Sequence, residues 1–447
     1  MRLCKAVVGP FLLSMFISGA CLAQAQNKKT AQSTRPASGF NQIIQTNAQQ
    51  MLQEGQKTFR YDTFGDEAFW GDTLHLHQAI AGEKNGGVGP GVSPKTALSV
   101  GLKVDADAIP AAVAAKIKAG QVNLDDPATT LALLKMNAVV GVTGFFDAQG
   151  KIKSIGIQCS FCHSTVNDSF APGIGQRLDG WANRDLNVGA IVSLAPNLQP
   201  FSDLLGVDVA TVKKVLASWG PGRFDAELDK DGKAFRPDGK QAGTLIPPAF
   251  GLAGVNLHTW TGFGSVPYWN AYVGATEMHG SGTFYDARLG EKGQYAVSAK
   301  SGAGNMHGSP DRITSKLAAL HFYQLAIPAP KPPAGSYNQA AAAAGKALFD
   351  GKAKCATCHT PPLFTEPGNN LHAPGEVGVD AFQADRSPTH MYRTAPLAGL
   401  WSHEKGGFYH DGRFATLDDV INHYNSFLNL SLTEQEKKDL VEYLKSL

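Results

Sequence analysis

"CSFCH" at residues 159–163 and "CATCH" at residues 355–359 repeat one pattern, Cys-x-x-Cys-His. Attachment of haem c needs two thiols that bond to the porphyrin and an adjacent imidazole that binds the iron. The pentapeptide supplies all three groups within one helical turn. The sequence therefore predicts two covalently attached haem c groups, whose thiols and proximal iron ligands are Cys159, Cys162 and His163 for the first and Cys355, Cys358 and His359 for the second.

Zinc binding and dithiol redox chemistry are the competing interpretations of the two motifs. A structural zinc site needs four ligands, and no second Cys or His pair follows either motif at a finger-like spacing. A thioredoxin-like dithiol has no use for the histidine that both copies share, and neither copy lies in a βαβ pattern. Haem attachment is the interpretation that uses every residue of the pattern.

The other two cysteines, Cys4 and Cys21, lie in the N-terminal stretch "MRLCKAVVGPFLLSMFISGACLAQAQ". Its basic start, apolar run and small-residue "AQA" predict a signal peptide over residues 1–25, cleaved after Ala25. This predicts a periplasmic or secreted protein, with a lipoprotein cleavage site before Cys21 as the alternative. Because the remaining cysteines all belong to the two motifs, structural disulfides are not expected, although an exported protein could form them.

The charge balance and the lengths of the apolar runs argue against nucleic-acid binding and against membrane spanning. The 447 residues include 40 basic and 38 acidic side chains without a basic stripe, so nucleic acid is not expected as a partner. Beyond the signal peptide no apolar run reaches membrane-spanning length, so a membrane-spanning protein is not expected either. The chain is long enough for two or three domains with cores of their own.

Helix signals dominate the rest of the chain, whereas strand-like alternation is almost absent. Apolar periodicity with glycine or proline at the ends predicts short helices at 109–120, 127–136 and 209–220. The last helix is predicted to begin, with a capping box, near Leu432 or Thr433. The predicted fold class is mainly α with extensive irregular loops and two class I cytochrome c-like haem domains.

A proline-rich segment after the helix that begins near residue 313 is the best domain boundary. We therefore predict a linker and helix at 26–59, a first haem (active-site) domain at 60–335 and a second haem cytochrome c domain at 336–447. Residues 220–312 are rich in Gly, Pro and aromatic side chains and show little periodicity. They are predicted to form long packed loops that line a site.

The second motif is followed by "RTAPL" and "FYHDGRFATLDDV" (393–397 and 408–420), which resemble the C-terminal half of the bacterial di-haem cytochrome c peroxidases. That superfamily also includes the methylamine dehydrogenase maturation enzymes. The resemblance implies that the next helix supplies the distal ligand of the second haem, Met in peroxidases and Tyr in maturation enzymes. Here the helix offers His423 and Tyr424, which point about 100° apart, so only one can serve. Position favours Tyr424, but imidazole is the better iron ligand, so His423 is the prediction.

Other stretches, including "TFGDEAFWGDTLHLHQAI" and "LIPPAFGLAGVNLHTWTGFGSVPYWNAYVG", resemble the di-haem rubber oxygenases most closely. These secreted relatives cleave polyisoprene with dioxygen. The resemblance implies an active first haem whose distal side is lined by Trp269, with Tyr268 and Phe284 beside it. It also implies Ca²⁺ between the domains. The alternative is that this iron takes a sixth protein ligand, for which the candidates are His258, Met278, His279, Met306 and His307.

Together these features predict an exported di-haem oxidoreductase. Its first haem would react with O₂ or H₂O₂, as a dioxygenase or a peroxidase, and its second would transfer electrons. The implied partners are an apolar organic substrate or a small cytochrome or copper protein as electron donor. A catalytic acid is not evident, since Glu227 and Glu277 are candidates by region only. The alternatives are a non-catalytic di-haem electron-transfer cytochrome and a maturation-type enzyme that oxidises a partner protein.

Overall fold

A computed structural model describes residues 39–447. The predicted signal peptide and the first part of the predicted linker lie outside the described residues. Residues 47–447 form one compact unit, and residues 39–46 fall in a separate unit. No helix of the described range combines the length and the apolar character needed to cross a bilayer.

After the 23-residue α1, the helices ahead of the first motif are short. α5 follows Asp126, whose side chain accepts a hydrogen bond from the Ala128 amide, and begins with a proline. The helices predicted at 109–120 and 127–136 are confirmed. In this part of the chain the structure contains α1 (Gly39–Tyr61), a π-helical segment (Ala68–Thr73), α2 (Leu76–Ala81), α3 (Pro94–Ser99), α4 (Ala111–Lys118) and α5 (Pro127–Lys135).

Between the two motifs the chain is more helical than the sequence indicated. The helices are α6 (Ser160–His163), α7 (Val188–Val192), α8 (Gln199–Leu205), α9 (Val209–Trp219), α10 (Leu228–Asp231), α11 (Val266–Ala275), α12 (Ala296–Ser301) and α13 (Leu317–Ala326). The helix predicted at 209–220 is therefore confirmed.

The prediction of loops throughout 220–312 is wrong at α10, α11 and α12, of which α11 is the longest. The Ser265 hydroxyl accepts a hydrogen bond from the Tyr268 amide and caps this helix. Its sequence, VPYWNAYVGA, is apolar on nearly every side, so it shows no amphipathic stripe from which a helix could be recognised.

After the second motif the chain forms α14 (Gln339–Asp350), α15 (Pro374–Val377), α16 (Leu417–Phe427) and α17 (Glu434–Lys445). Thr433 caps α17, and Glu436 completes the capping box, as predicted. α14 and α17 cross in close contact at Gly345. A Cβ atom there would lie 2.0 Å from the Asp439 carbonyl oxygen, so only glycine permits this approach.

The strands pair into small two-stranded sheets. β2 and β3 form an antiparallel hairpin, with Val142 opposite Ile157, that leads directly into the first motif. The others are β1 with β5 (parallel), β4 with β6, β7 with β8, and β9 with β10. Their bounds are β1 (Val104–Asp105), β2 (Val142–Phe146), β3 (Ile152–Ile157), β4 (Ser164–Val166), β5 (Ile174–Gly175), β6 (Arg177–Asp179), β7 (Arg223–Phe224), β8 (Thr244–Leu245), β9 (Thr283–Tyr285) and β10 (Asn305–His307).

The predicted fold class is confirmed in its coarse form, because helices and irregular chain make up most of the described residues. The hairpin of β2 and β3 is the main element that the helical pattern did not indicate. The division into two cytochrome c-like haem domains stays a prediction.

A buried ion pair network connects the segment that follows the second motif to residues 225–231. Arg386 is 1% exposed, and its Nη1 atom lies 2.9 Å from Asp225 Oδ1. Its Nε and Nη2 atoms donate to the two oxygens of Asp231 at 2.8 and 3.0 Å. Bidentate guanidinium–carboxylate geometry of this kind offsets part of the desolvation penalty of burying these charges.

We predict that Arg386→Met lowers the free energy of unfolding by about 3–5 kcal/mol, because it leaves two buried carboxylates without their cation. The measurement is urea unfolding followed by far-ultraviolet circular dichroism. Lys346→Met, which removes an exposed ion pair with Asp350, is the control and should leave the midpoint nearly unchanged. Equal midpoints for the two variants would contradict a structural role for the network.

Candidate functional site

Both Cys-x-x-Cys-His motifs open into one connected cavity of about 980 Å³. Its wall is mostly apolar and is formed by residues from Trp70 to Leu444. All six residues predicted to attach and ligate the haems line it: Cys159, Cys162, His163, Cys355, Cys358 and His359. The tertiary structure thus brings the two motifs, far apart in sequence, to the same interior space.

The first motif is held by a short helical turn directly after the hairpin of β2 and β3. The His163 amide donates to the Cys159 carbonyl at 3.2 Å. The His163 Nδ1 atom lies 3.2 Å from the Pro247 carbonyl oxygen, which leaves Nε2 as the free ring nitrogen. Burial lowers the pKa of His163 to about 4. The imidazole is therefore neutral at physiological pH, the form that ligates a metal.

The second motif repeats this arrangement on a 3₁₀ turn, Cys355–Thr357. The His359 amide donates to the Cys355 carbonyl at 2.9 Å, and the Nδ1 atom lies 3.1 Å from the Phe364 carbonyl oxygen. Burial lowers the pKa of His359 as well. Each histidine is thus oriented by a backbone carbonyl, with the same ring nitrogen left for an iron.

The thiols show which chemistry fits the motifs. Burial raises the pKa of Cys159 and Cys162 to about 12 and that of Cys355 to about 11. The free thiols are therefore protonated at neutral pH and poorly suited to thiol redox chemistry, which needs thiolates. Paired thiols and an oriented neutral imidazole at the wall of an apolar cavity fit covalently attached haem at both motifs.

Of the three aromatic residues predicted for the first haem, only Trp269 lines the cavity. Its Nε1 atom is buried and has no hydrogen-bond partner among the described residues. Tyr268 packs behind it, with ring centroids 5.7 Å apart, and donates its hydroxyl hydrogen bond to Asp286 at 2.8 Å. Phe284 packs against Tyr268 at 5.4 Å. Tyr268 and Phe284 therefore support the wall and do not form it.

Glu277 lies on the same cavity wall, just after α11. Its Oε1 atom is buried without a partner among the described residues. Burial, and after it the neighbouring Asp229 carboxylate, raises the pKa of Glu277 well above its ordinary value. The negative charge of Glu277 also adds to the raised pKa of Cys162, of which burial is the main cause.

Further acidic groups reach the cavity from the segment 225–231, among them Asp225, Glu227 and Asp229. Tyr272 donates to Asp229 Oδ2 at 2.8 Å, whereas Asp229 Oδ1 has no partner among the described residues. Burial raises the pKa of Asp225 to about 7, against the opposing effect of Arg386.

Lys230 is the fully buried cation of this segment. Its Nζ atom lies 4.3 Å from the ring centroid of Tyr272 and 4.9 Å from that of Trp269, and it donates to the Ala226 carbonyl at 2.5 Å. The aromatic faces stabilise the ammonium group away from water. The positive charge of Lys230 also attracts the Glu277 carboxylate and thereby offsets part of the rise in the pKa of Glu277.

Sequence reasoning named Glu227 and Glu277 as candidate acids by region only, and it did not single out Asp225, Asp229 or Lys230. The stretch "DAELDKD" (225–231) has the composition of a solvated charged turn, and nothing in its spacing connects it to Glu277. The density of charge directly after an aromatic stretch was the one available signal. It does not distinguish an exposed turn from a buried one.

On the side of the second motif the structure separates the two candidates on α16. Tyr424 lines the cavity and His423 does not. The His423 ring stacks on Phe427 with centroids 5.8 Å apart, and its Nε2 atom lies 3.4 Å from the Val377 carbonyl oxygen. Burial raises the pKa of Tyr424, and the Cys355 and Cys358 thiols add to the rise. This geometry favours Tyr424 over the predicted ligand His423.

Most of the candidate sixth ligands of the first iron line the cavity. His258, Met278, His279 and Met306 line the cavity, and His307 does not. Within the described range, one group of three metal-ligating side chains lies close together: Cys358, Glu366 and His372. It includes a haem-motif thiol and an imidazole, whereas Ca²⁺ prefers oxygen ligands. The Ca²⁺ site between the domains stays a prediction.

Two curated proteins are similar to parts of this chain, although no protein-family model matches it. The methylamine utilization protein MauG of Methylorubrum extorquens is 32% identical over 120 residues, covering 23% of this chain and 33% of that protein. The cytochrome-c peroxidase IdrP1 of Denitromonas iodatirespirans is 27% identical over 231 residues, covering 40% of this chain and 60% of that protein. The chain thus spans about a third and three fifths of these relatives.

A solved MauG-like protein associated with microbial copper homeostasis is 18% identical, with a TM-score of 0.31 over 52% of this chain and 78% of that one. A score of this size supports no argument about fold or function. The two sequence similarities, by contrast, agree with the family predicted from the paired motifs and from residues 391–425. The closer resemblance to the rubber oxygenases stays a prediction. The similarities support the predicted resemblance to the di-haem cytochrome c peroxidase superfamily.

Proposed function

We propose that the protein is an exported di-haem c-type oxidoreductase that reduces hydrogen peroxide at its first haem and transfers electrons through its second. The observation that carries the proposal is the contrast between the two sides of the cavity. Trp269 packs on the same buried cluster as Cys159, and the partnerless carboxyl group of Glu277 adds to the rise that burial causes in the pKa of Cys162. The thiols of the second motif instead add to the rise that burial causes in the pKa of Tyr424. An acid beside one haem and a ligating side chain beside the other suit a reactive iron and an electron-transfer iron.

The haems, bound at His163 and His359, supply one-electron chemistry and, at the first iron, binding of an oxygen species. The chain's own residues prepare that site. Trp269 and the aromatic side chains behind it would exclude water from this part of the cavity when the haem is bound. Burial raises the pKa of Glu277 well above its ordinary value and so favours the protonated form of its carboxyl group. A buried protonated carboxyl can give this proton to a departing oxygen and take it back from the other.

Reduction of peroxide to water consumes two electrons and two protons, which a small cytochrome or copper protein and the solvent would supply. Glu277 favours this reaction over the dioxygenase alternative, in which an apolar organic substrate beside Trp269 would react with O₂ without net electron input. Tyr424 favours a second candidate, a maturation-type enzyme, since the resemblance implies tyrosine at that position in those relatives. There the electron donor would be a partner protein.

The first prediction is two covalent haems per chain. Cys159→Ala with Cys162→Ala should remove one of them, because the thiols are the attachment points. Cys355→Ala with Cys358→Ala should remove the other and serves as the matched variant. Pyridine haemochrome spectra of denatured protein measure the number retained. Bound zinc, or haem that acidified solvent extracts from the wild type, is incompatible with the proposal.

The second prediction concerns the proton held by Glu277. Glu277→Gln should slow the reaction with peroxide by about 10²–10⁴-fold, the usual contribution of a general acid–base group. Glu227→Gln, which changes the other candidate on the same wall, should have a much smaller effect. Stopped-flow mixing with peroxide measures both. The wild-type rate should fall as pH rises through the raised pKa of Glu277, because the acid form is lost. If Glu277→Gln reacts with peroxide at the wild-type rate, Glu277 is not the catalytic acid.

The third prediction separates the two candidate ligands of the second haem. Tyr424→Phe should change the spin state of this haem alone, because the variant lacks the hydroxyl that would reach the iron. His423→Phe is the matched control and should leave both haems as they are. Electron paramagnetic resonance of the two oxidised variants measures the spin states. If His423→Phe produces the change, the ligand is His423 and the geometric preference is wrong.

A further inference from the structure

Two arginines that line the large cavity, Arg184 and Arg393, have no anionic partner within residues 39–447. The Nε atoms of both and the Nη2 atom of Arg393 are buried, and the described residues offer them no hydrogen-bond acceptor. Arg184 Nη1 donates to the Lys405 carbonyl oxygen at 3.3 Å, which satisfies one of its donors but not its charge. Arg184 and Arg393 are here called the cavity arginines.

Other arginines with buried side chains show the usual arrangement. Arg386 lies between Asp225 and Asp231, and Arg177 Nε lies 2.6 Å from Asp105 Oδ2. An arginine does not lose its proton in a protein, so a guanidinium taken out of water needs an anion beside it. Burial lowers the pKa of each cavity arginine only to about 10, so both stay charged at neutral pH. Each therefore lacks a counter-charge.

The missing anion has to lie in the cavity that both side chains line. The acidic groups of residues 225–231 line the same cavity but do not contribute to the pKa of either cavity arginine. Haem, the group that fits the two motifs, carries propionate side chains, which are carboxylates at neutral pH. A guanidinium binds a carboxylate with two parallel hydrogen bonds, and both cavity arginines have donors free for such bonds.

The backbone holds both cavity arginines in place. Directly before Arg184, the Asn183 amide donates to the Cys162 carbonyl oxygen of the first motif at 2.9 Å. The Arg393 amide donates to the Trp260 carbonyl oxygen at 2.9 Å, which ties the chain after the second motif to the segment between the motifs. Because the backbone is already fixed, little conformational freedom is lost when an anion binds.

We propose that Arg184 and Arg393 are carboxylate-binding residues of the large cavity, and that their ligands are the propionate groups of the haems. The inference rests on the haem attachment in the proposed function, but not on the reaction with peroxide. A free carboxylate is the other source of the same chemistry, and the experiments below distinguish the two.

The direct test is resonance Raman spectroscopy of the haem-loaded full chain. Arg393→Met and Arg184→Met should each lower the frequency of the propionate bending band, because this band falls when a propionate loses a hydrogen bond. Arg312→Met removes an exposed arginine that does not line the cavity and is the matched control, with an unchanged band. A band that is unchanged in both cavity variants overturns the proposal, and a band unchanged in one overturns it for that arginine.

Redox titration provides a readout that a purely structural role would not change. Arg393→Met should lower the midpoint potential of a haem, because a nearby positive charge favours the ferrous form. Arg393→Lys keeps the charge and should stay nearer the wild-type potential, although lysine cannot reproduce the paired hydrogen bonds. Equal potentials in wild type and Arg393→Met contradict the proposal. Should Arg393→Met not fold, the propionate band of Arg393→Lys decides.

Benzoate is the probe for a free carboxylate. It should leave the melting temperature of the haem-loaded wild type unchanged, because propionates already occupy the cavity arginines. A rise that Arg393→Met abolishes would assign the site to a free carboxylate and overturn the haem assignment. Pyridine haemochrome spectra of the same samples separate the possible failures. Missing covalent haem contradicts the proposed function, whereas two covalent haems with an unchanged propionate band contradict this inference alone.

Discussion

The buried guanidinium of Arg386 is the constraint on which the arrangement of the site depends. It binds Asp225 and Asp231, the two ends of the short segment that also carries Glu227, Asp229 and Lys230. Without a cation between its ends, this acidic segment would have a much lower free energy in water than at the wall of an apolar cavity. Arg386 belongs to the chain after the second motif, so burial of these groups requires both parts of the protein.

This arrangement concentrates ionisable groups on one side of an otherwise apolar interior. Lys230 contacts the faces of Trp269 and Tyr272, and Tyr272 donates to Asp229. The aromatic side chains therefore do more than exclude water, because they also hold a cation next to Glu277. Low local polarity strengthens each of these interactions, and it makes a proton on the Glu277 carboxyl group less costly than a charge.

The side of the second motif also has carboxylates near its thiols, since Glu366 lies close to Cys358. It differs in presenting Tyr424 to the cavity, while the His423 ring is stacked on Phe427. At both motifs, however, a backbone carbonyl oxygen fixes the imidazole, Pro247 for the first and Phe364 for the second. Under the proposed function, a difference between the two irons would therefore arise from the side chains that face them across the cavity, and not from how the two imidazoles are held.

The sequence by itself determined the features that are local. The two Cys-x-x-Cys-His motifs, the capping box at Thr433 and the helices around 111–118 and 127–135 all depend on residues a few positions apart. Their chemistry and start positions could be predicted for that reason. Only the tertiary structure decided which side chains meet in the cavity. Glu277 and the segment 225–231 are distant in sequence, and α11 showed no periodicity from which the outward or inward direction of Trp269 and Tyr268 could be inferred. Whether His423 or Tyr424 faces the cavity depends on the rotation of α16 about its axis, which long-range packing fixes and local pattern does not.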